Sequence, residues 1–253
     1  MSIGIDIGSK TIKIVELAKE GNVFRLRGSG IVGYQGSPPE HAKDEKEFLA
    51  LADVIRKLHK EAKISSKEVI IALPEPQVFT RTIKFPPLTD QEIASAVKWE
   101  AEQYIPIPLA DAIIQHSIIE RRENTIPPEV AVLLIAAPRT VVEAYVKAVT
   151  LAGLTPVAVE TELTALARSL APEGQTVLLC DFGARSTDIA VVKNAQLTFT
   201  RTIPTAGEAF TRAVAQSLGV ELAQAEEYKR AYGLSGSQLE GKVRVALDPV
   251  FRM

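Results

Sequence analysis

MSIGIDIGSKTIKIVEL (residues 1–17) decides how the rest of the chain is read. Ile3, Ile5 and Ile7 alternate with Gly4, Asp6 and Gly8, the period of two that marks a strand with one face in a core. Gly8, Ser9 and Lys10 make a tight polar turn, and Thr11 to Leu17 alternates again with Ile12 and Ile14 apolar. The pattern is a hairpin. Gly8 lets backbone N–H groups point outward with no side chain in the way, which shapes an anion-binding concavity. Lys10 adds a point charge, Ser9 and Thr11 add hydroxyls, and Asp6 is an acceptor suited to a hydrated divalent cation. An ordinary N-terminal hairpin with a polar turn explains the same residues, so this stretch alone leaves both readings open.

The device recurs. VLLCDFGARSTDIAVV (residues 177–192) is an apolar strand, then Asp181-Phe182-Gly183, a polar turn with Ser186 and Thr187, and a second apolar strand. Asp6 and Asp181 each precede a glycine by two positions, and each turn feeds its strand through a Ser or Thr. An internal repeat outranks local signals. Two such hairpins from two related halves can face each other across a cleft and grip a polyphosphate from both sides.

Residues 3–17 and 180–192 resemble the two phosphate motifs of the actin, Hsp70 and sugar-kinase superfamily. FPPLTDQEIASAVKWEAEQYIPIPL (residues 85–109) is more specific, and is similar to the corresponding segment of the PilM-type proteins of type IV pilus assembly, relatives of the cell-division protein FtsA. The resemblance runs to about Tyr232. It implies an α/β chain with an actin-like, ribonuclease H-like fold and duplicated halves. Residues 1–80 and 155–172 would form subdomain 1A, residues 81–154 the inserted subdomain 1C, and residues 173–253 a partial second domain, 2A with the start of 2B.

Composition fits that class and excludes others. The chain has 253 residues, 46% hydrophobic and 24% charged, with a net charge of −2, which gives no electrostatic case for nucleic acid. The longest apolar run, Val130 to Ala137, is too short to span a bilayer. His41, His59 and His116 show no metal-ligand spacing. Cys180, the only cysteine, sits in an apolar run that predicts an inert core thiol. These features, with an N-terminus that enters a strand at once, point to the cytoplasm.

In chain order, Gly21 and Asn22 make a turn into a third antiparallel strand, and Lys46 to Ala62 carries a helical apolar face. Lys67 to Leu73 is a short strand. Thr89 and Glu92 form a capping box for a helix ending near Tyr104, on which Trp99, the only tryptophan, is expected to be a packing residue. Two strands near residues 112–119 and 130–136 and a helix from Thr140 complete the insertion. A strand over Thr155–Thr161 and a helix over Glu162–Leu170 close the first half. After the second hairpin, helices are expected over residues 208–217 and 221–232.

On the last of these helices Glu226 and Lys229 share a face, which by itself is a solvated ion pair. In the resembling families a Glu and a Lys of this helix reach the nucleotide ribose. Gly207 lies where those families carry a Gly-Gly near phosphate, although here the first position is Ala206. The resemblance therefore implies ATP with Mg²⁺, held by Asp6, Gly8, Ser9, Lys10, Thr11, Asp181, Gly183, Thr187, Gly207, Glu226 and Lys229. Asp6 and Asp181 would place the metal through water. Hydrolysis needs a positioned water and base that sequence does not display, so at most weak ATPase activity is expected.

The implied function is a cytoplasmic adaptor at the inner face of the inner membrane. It would hold the cytoplasmic tail of a PilN-like membrane partner in a groove between 1A and 1C, and touch the membrane only through that partner. A small-molecule kinase of the same superfamily lacks a substrate-side Asp candidate in the insertion. An FtsA-like filament former lacks its C-terminal amphipathic helix. The cytoplasmic part of a type II secretion platform protein is the other cousin. The second hairpin is followed by far less chain than the first, and the glycine-rich adenine turn of the family does not follow Thr187. The second half is thus expected to be incomplete, with Gly241 to Met253 starting a further element, an open sheet edge and a tendency to self-associate.

Overall fold

The computed structural model describes residues 3–21 and 23–252, so the turn expected at Gly21 and Asn22 has its second residue outside the described residues. The chain begins with β1 (Ile3–Ile7), β2 (Thr11–Glu20) and β3 (Val23–Gly33), followed by α1 (Glu45–Glu61) and β4 (Glu68–Leu73). The insertion contributes β5 (Phe79–Phe85), α2 (Asp90–Tyr104), β6 (Ala112–Arg122) and β7 (Glu129–Pro138), and α3 (Arg139–Leu151), expected to belong to it, packs in the main-sheet core instead. Then come β8 (Thr155–Thr161), α4 (Glu162–Leu170), β9 (Thr176–Phe182), β10 (Thr187–Lys193) and β11 (Gln196–Ile203). The remaining elements are α5 (Gly207–Leu218), α6 (Leu222–Tyr232) and α7 (Lys242–Leu247). Contacts divide the chain into one unit of Met1–Leu179 with Ile189–Arg201, and a second of Cys180–Asp188 with Thr202–Met253.

In the first unit the main sheet runs β3-β2-β1-β4-β8, with β1 antiparallel to β2 and parallel to β4. The alternation that predicted the hairpin is its packing. Ile3, Ile5, Ile7, Ile12 and Ile14 are buried against Phe48, Leu51 and Ile55 of α1 and Val141, Tyr145 and Val149 of α3. β3 approaches α1 so closely that a Cβ on Gly28 would lie 2.7 Å from the Ala62 carbonyl oxygen. Glu16 is buried beneath the same corner. Burial raises its pKa, but hydrogen bonds from the Ser66 and Ser65 amides and the Ser65 hydroxyl outweigh that and hold it below the ordinary carboxylate range.

The insertion is a three-stranded antiparallel sheet, β5-β7-β6, with α2 across one face. α2 starts on the expected capping box, with Thr89 and Glu92 bonded reciprocally. β7 is buried on both faces, which is why Val130–Ala137 reads as an unbroken apolar run. Val130, Val132, Leu134 and Ala136 pack with Ile93, Val97 and Ala101 of α2. Leu133 joins Leu163 and Ala167 of α4 and Ala190, Val192 and Leu197 of β10 and β11. The Thr82 hydroxyl donates to the Thr198 carbonyl at 2.7 Å, and Lys193 pairs with Glu120 at 3.2 Å. The insertion is therefore built into the core of this unit.

Two expectations are corrected. Trp99 does not pack, being 77% exposed, because Ile93, Val97 and Ala101 already fill the core side of α2. Cys180 is exposed, on the same face of the edge strand β9 as Leu178 and Phe182. In the second unit α5 packs on α6 and α7 around Phe210, Val214, Ala225, Val243 and Leu247. The element expected to start at Gly241 is α7 with a 3₁₀ turn over Asp248–Arg252.

Candidate functional site: two Asp-x-Gly turns

The first turn joins β1 to β2. The Gly8 amide donates to the Thr11 carbonyl at 3.0 Å, and a Cβ on Gly8 would come within 3.2 Å of that oxygen, so the tight reversal needs glycine. Asp6 lies opposite Lys13 on β2, whose Nζ is 2.7 Å from Asp6 Oδ2. Asp6 Oδ1 is buried and has no hydrogen-bond partner among the described residues. A carboxylate oxygen withdrawn from water without a donor is costly until a donor or cation reaches it. An orphaned acceptor of this kind can take a hydrogen bond from a cation-bound water. Ser9 is half-buried on the turn and Lys10 is exposed.

Asp6 also lies near the carboxyl end of β1, level with Ala72 of β4 and Glu160 of β8 in the parallel register. Ligands of open α/β sheets bind at such strand ends. Other polar groups gather there and are fixed by the protein. Thr161 caps α4 through the Thr164 amide, and the buried Glu75 accepts from the Leu163 amide at 3.1 Å. The buried Tyr145 hydroxyl donates to Glu40 at 2.9 Å. Burial, followed by the negative charges of Glu40, Glu162 and Asp6, pushes its pKa far upward, so it stays a neutral donor.

The second turn repeats the first. The Gly183 amide donates to the Ser186 carbonyl at 3.0 Å, matching Gly8 and Thr11. This register makes Asp181 the counterpart of Asp6 and Ser186, rather than Thr187, the counterpart of Thr11. Thr187 corresponds to the inward-facing Ile12; it is buried, and its hydroxyl donates to the Thr205 carbonyl at 2.7 Å. Ser186 donates to the buried Asp188 at 2.9 Å, and Thr202 donates to the other Asp188 oxygen. The sequence places Ser186 and Thr187 together in the turn without telling them apart and gives no sign of Asp188, although aligning the two glycines selects Ser186.

Gly207 begins α5 against this turn. Its amide reaches the Gly183 carbonyl at 3.2 Å, the Glu208 amide reaches the Ala184 carbonyl at 2.8 Å, and a Cβ on Gly207 would meet Gly183 O at 3.3 Å. Glycine here serves the seating of α5 on the turn. Lys229 Nζ donates to the Gly207 carbonyl at 3.0 Å and the Thr211 hydroxyl at 2.9 Å, and pairs with Glu226 at 2.6 Å. Arg230 donates to the other Glu226 oxygen at 2.7 Å. Burial raises the Glu226 pKa, but bonds from Lys229, Thr211 and Arg230 win and hold it down to about 2. Thus Gly183, Gly207, Glu226 and Lys229 meet in one network. Thr211 and Arg230 belong to it and were missed; Arg230 is legible as the i+4 partner of Glu226. Among the described residues no group of three or more His, Cys, Asp or Glu is placed to hold a metal directly.

Known proteins share the fold. A solved structure titled "PilM-PilN type IV pilus biogenesis complex" superposes with a TM-score of 0.80 at 29% identity, over 99% of this chain and 73% of that one. MreB 5 of Spiroplasma citri bound to AMPPNP shares the fold with a TM-score of 0.52 at 14% identity, over 99% and 75%. The cell division protein FtsA of Streptococcus pneumoniae serotype 2 (strain D39 / NCTC 7466) is 24% identical over 94% of this chain, which spans 57% of that relative's length. The family described as Type IV pilus assembly protein PilM matches residues 4–244, and the chain belongs to that family, with its actin-like fold.

Proposed function

We propose that this chain is a nucleotide-binding adaptor of the type IV pilus inner-membrane assembly platform, working through conformation and partner binding rather than turnover. The observation that carries the nucleotide reading is the buried, unpartnered Oδ1 of Asp6 beside a glycine turn whose backbone geometry recurs at Gly183. On the first turn Asp6 would take a Mg²⁺-bound water and Ser9, Lys10 and Thr11 would meet phosphate; on the second turn Asp181 and Gly183 would play the same parts, and Glu226 with Lys229 would take the ribose. Bound Mg²⁺ supplies charge neutralisation of the phosphates. Glu226 is ionised at every physiological pH and, beyond its bonds from Lys229, Arg230 and Thr211, keeps acceptor capacity for a hydroxyl donor. The AMPPNP-bound MreB of the same fold supports this reading.

Subdomain 1A would be residues 1–80 and 155–172 joined by α3, and 1C the rest of residues 81–154, the groove between them taking the tail of a PilN-like partner that brings the chain to the cytoplasmic face of the membrane. A PilM–PilN complex with this fold supports that choice of partner. Calorimetry tests the nucleotide site: Asp6→Ala and Asp181→Ala each weaken Mg·ATP binding by tenfold or more, and unchanged affinity in both variants refutes it. Co-purification of the full chain with a PilN-like tail peptide tests the adaptor role, and failure to retain the peptide refutes that.

A further inference from the structure

Trp99 is placed where the fold has no use for it. Ile93, Val97 and Ala101, at zero to one per cent exposure, form the side of α2 that faces β5 and β7. At 100° per residue Trp99 falls almost opposite that face, between Ser95 one turn before it and Glu102 one turn after. Trp99 is 77% exposed, more than any other aromatic residue among the described residues. Scattered exposed apolar residues need no explanation. Here, however, the ring stands on the outer crest of a helix whose Asp90 pairs with Arg121 and whose Glu92 closes the capping box, which leaves Glu100 and Glu102 beside Lys98 on the exposed turns around it. Among the described residues Glu102 has no ion-pair partner. A crest with an open indole and a carboxylate one turn away suits a guanidinium or ammonium group. One such group stacks on the ring face, and a second pairs with the acid.

We propose that the outward face of α2 is a docking surface for a cationic peptide segment of a partner protein, anchored by an Arg or Lys on Trp99 and a second cation at Glu102. The choice of occupant rests on charge complementarity. Glu100 and Glu102 disfavour nucleic acid and anionic lipid at this face, and tryptophan is among the side chains enriched as anchors of protein interfaces. Cytoplasmic segments next to membrane spans are enriched in Lys and Arg, so an inner-membrane partner carries the required charge. This surface is separate from the residues assigned to nucleotide and does not depend on them.

The test uses the full chain and a labelled ten-residue peptide alternating Arg and Ser, with a Glu and Ser peptide of equal length as control. Because Trp99 is the only tryptophan, its emission reports on the site directly. The Arg peptide changes Trp99 emission saturably and binds by anisotropy, and the Glu peptide does neither. Trp99→Ala weakens binding about fivefold or more, Trp99→Phe less, Glu102→Lys about fivefold, and salt weakens the wild type. Binding of both peptides alike, an unchanged indole emission, or wild-type affinity in both Trp99→Ala and Glu102→Lys overturns the proposal. Mg·ATP affinity, measured on the same samples, judges the nucleotide reading separately: Trp99→Ala leaves it unaltered.

Discussion

Replacing Glu226 by Gln removes one charge from the network on α6 while keeping the side chain's shape. In the native chain Glu226 accepts from Lys229 at 2.6 Å, from Arg230 at 2.7 Å and from the Thr211 hydroxyl, and its pKa falls to about 2 from an ordinary 4.5. That depression corresponds to a ceiling of about 3 kcal/mol in favour of the folded, ionised form. The carboxylate is one-third exposed (33%), so water screens part of this, and about 1–2 kcal/mol is the expected loss. For a chain of this size that is a fall of about 3–6 °C in Tm. The sign follows from linkage. A depressed pKa stabilises the folded state fully above 4.5, and the contribution fades as pH falls toward 2. Thermal unfolding followed by circular dichroism from pH 7 to pH 2.5 should therefore show a gap between wild type and Glu226→Gln that narrows steadily below pH 4.5. A gap of constant size across that range, or none at pH 7, would show that the three donors do not stabilise the charged form.

Gly28→Ala should cost about 2–3 kcal/mol in urea unfolding, because its Cβ would meet the Ala62 carbonyl at 2.7 Å and backbone cannot yield. Gly30→Ala should cost less, since the atom it meets at 2.8 Å is the tip of the Leu58 side chain; equal costs would contradict that distinction. Tyr145→Phe removes the donor to Glu40 without leaving a cavity, so it should cost about 1 kcal/mol with an unchanged denaturant slope, and a neutral result would mean that water replaces the hydroxyl.

Strong local periodicity was readable because it reports packing directly. The isoleucines of β1 and β2 alternate since every second one meets α1 or α3, and the Thr89–Glu92 box is a local bond pattern. The misreadings share a cause. Ser186 and Thr187 are adjacent and chemically alike, and a one-residue slip in a strand moves a side chain to the other face. Composition therefore could not say which hydroxyl lies at the turn, whereas the Gly183 to Ser186 bond does. Cys180 sits in an apolar run, but its burial depends on which neighbour covers that face of β9, a tertiary fact. Trp99 was different, because the apolar spacing of Ile93, Val97 and Ala101 already places it on the outer side. The residue type favours a core, but the helical spacing decides the face.

The two-sided burial of β7 also determines how partner binding can be examined. Removing residues 82–154 looks like a clean excision of a small domain, and loss of binding would seem to locate the groove. The same cut takes away Leu133, the Thr82 hydroxyl bonded to Thr198, and the Glu120 carboxylate paired with Lys193. Ala190, Val192 and Leu197, at most 3% exposed, would lose their cover, and uncovered strands of this kind aggregate. Lost binding would then report a damaged core. Substitutions confined to the crest of α2 avoid this, since neither Trp99 nor Glu102 is among the residues that bury β7. A difference measured there belongs to the surface, and the strands that carry Ala190 and Val192 into the core stay covered.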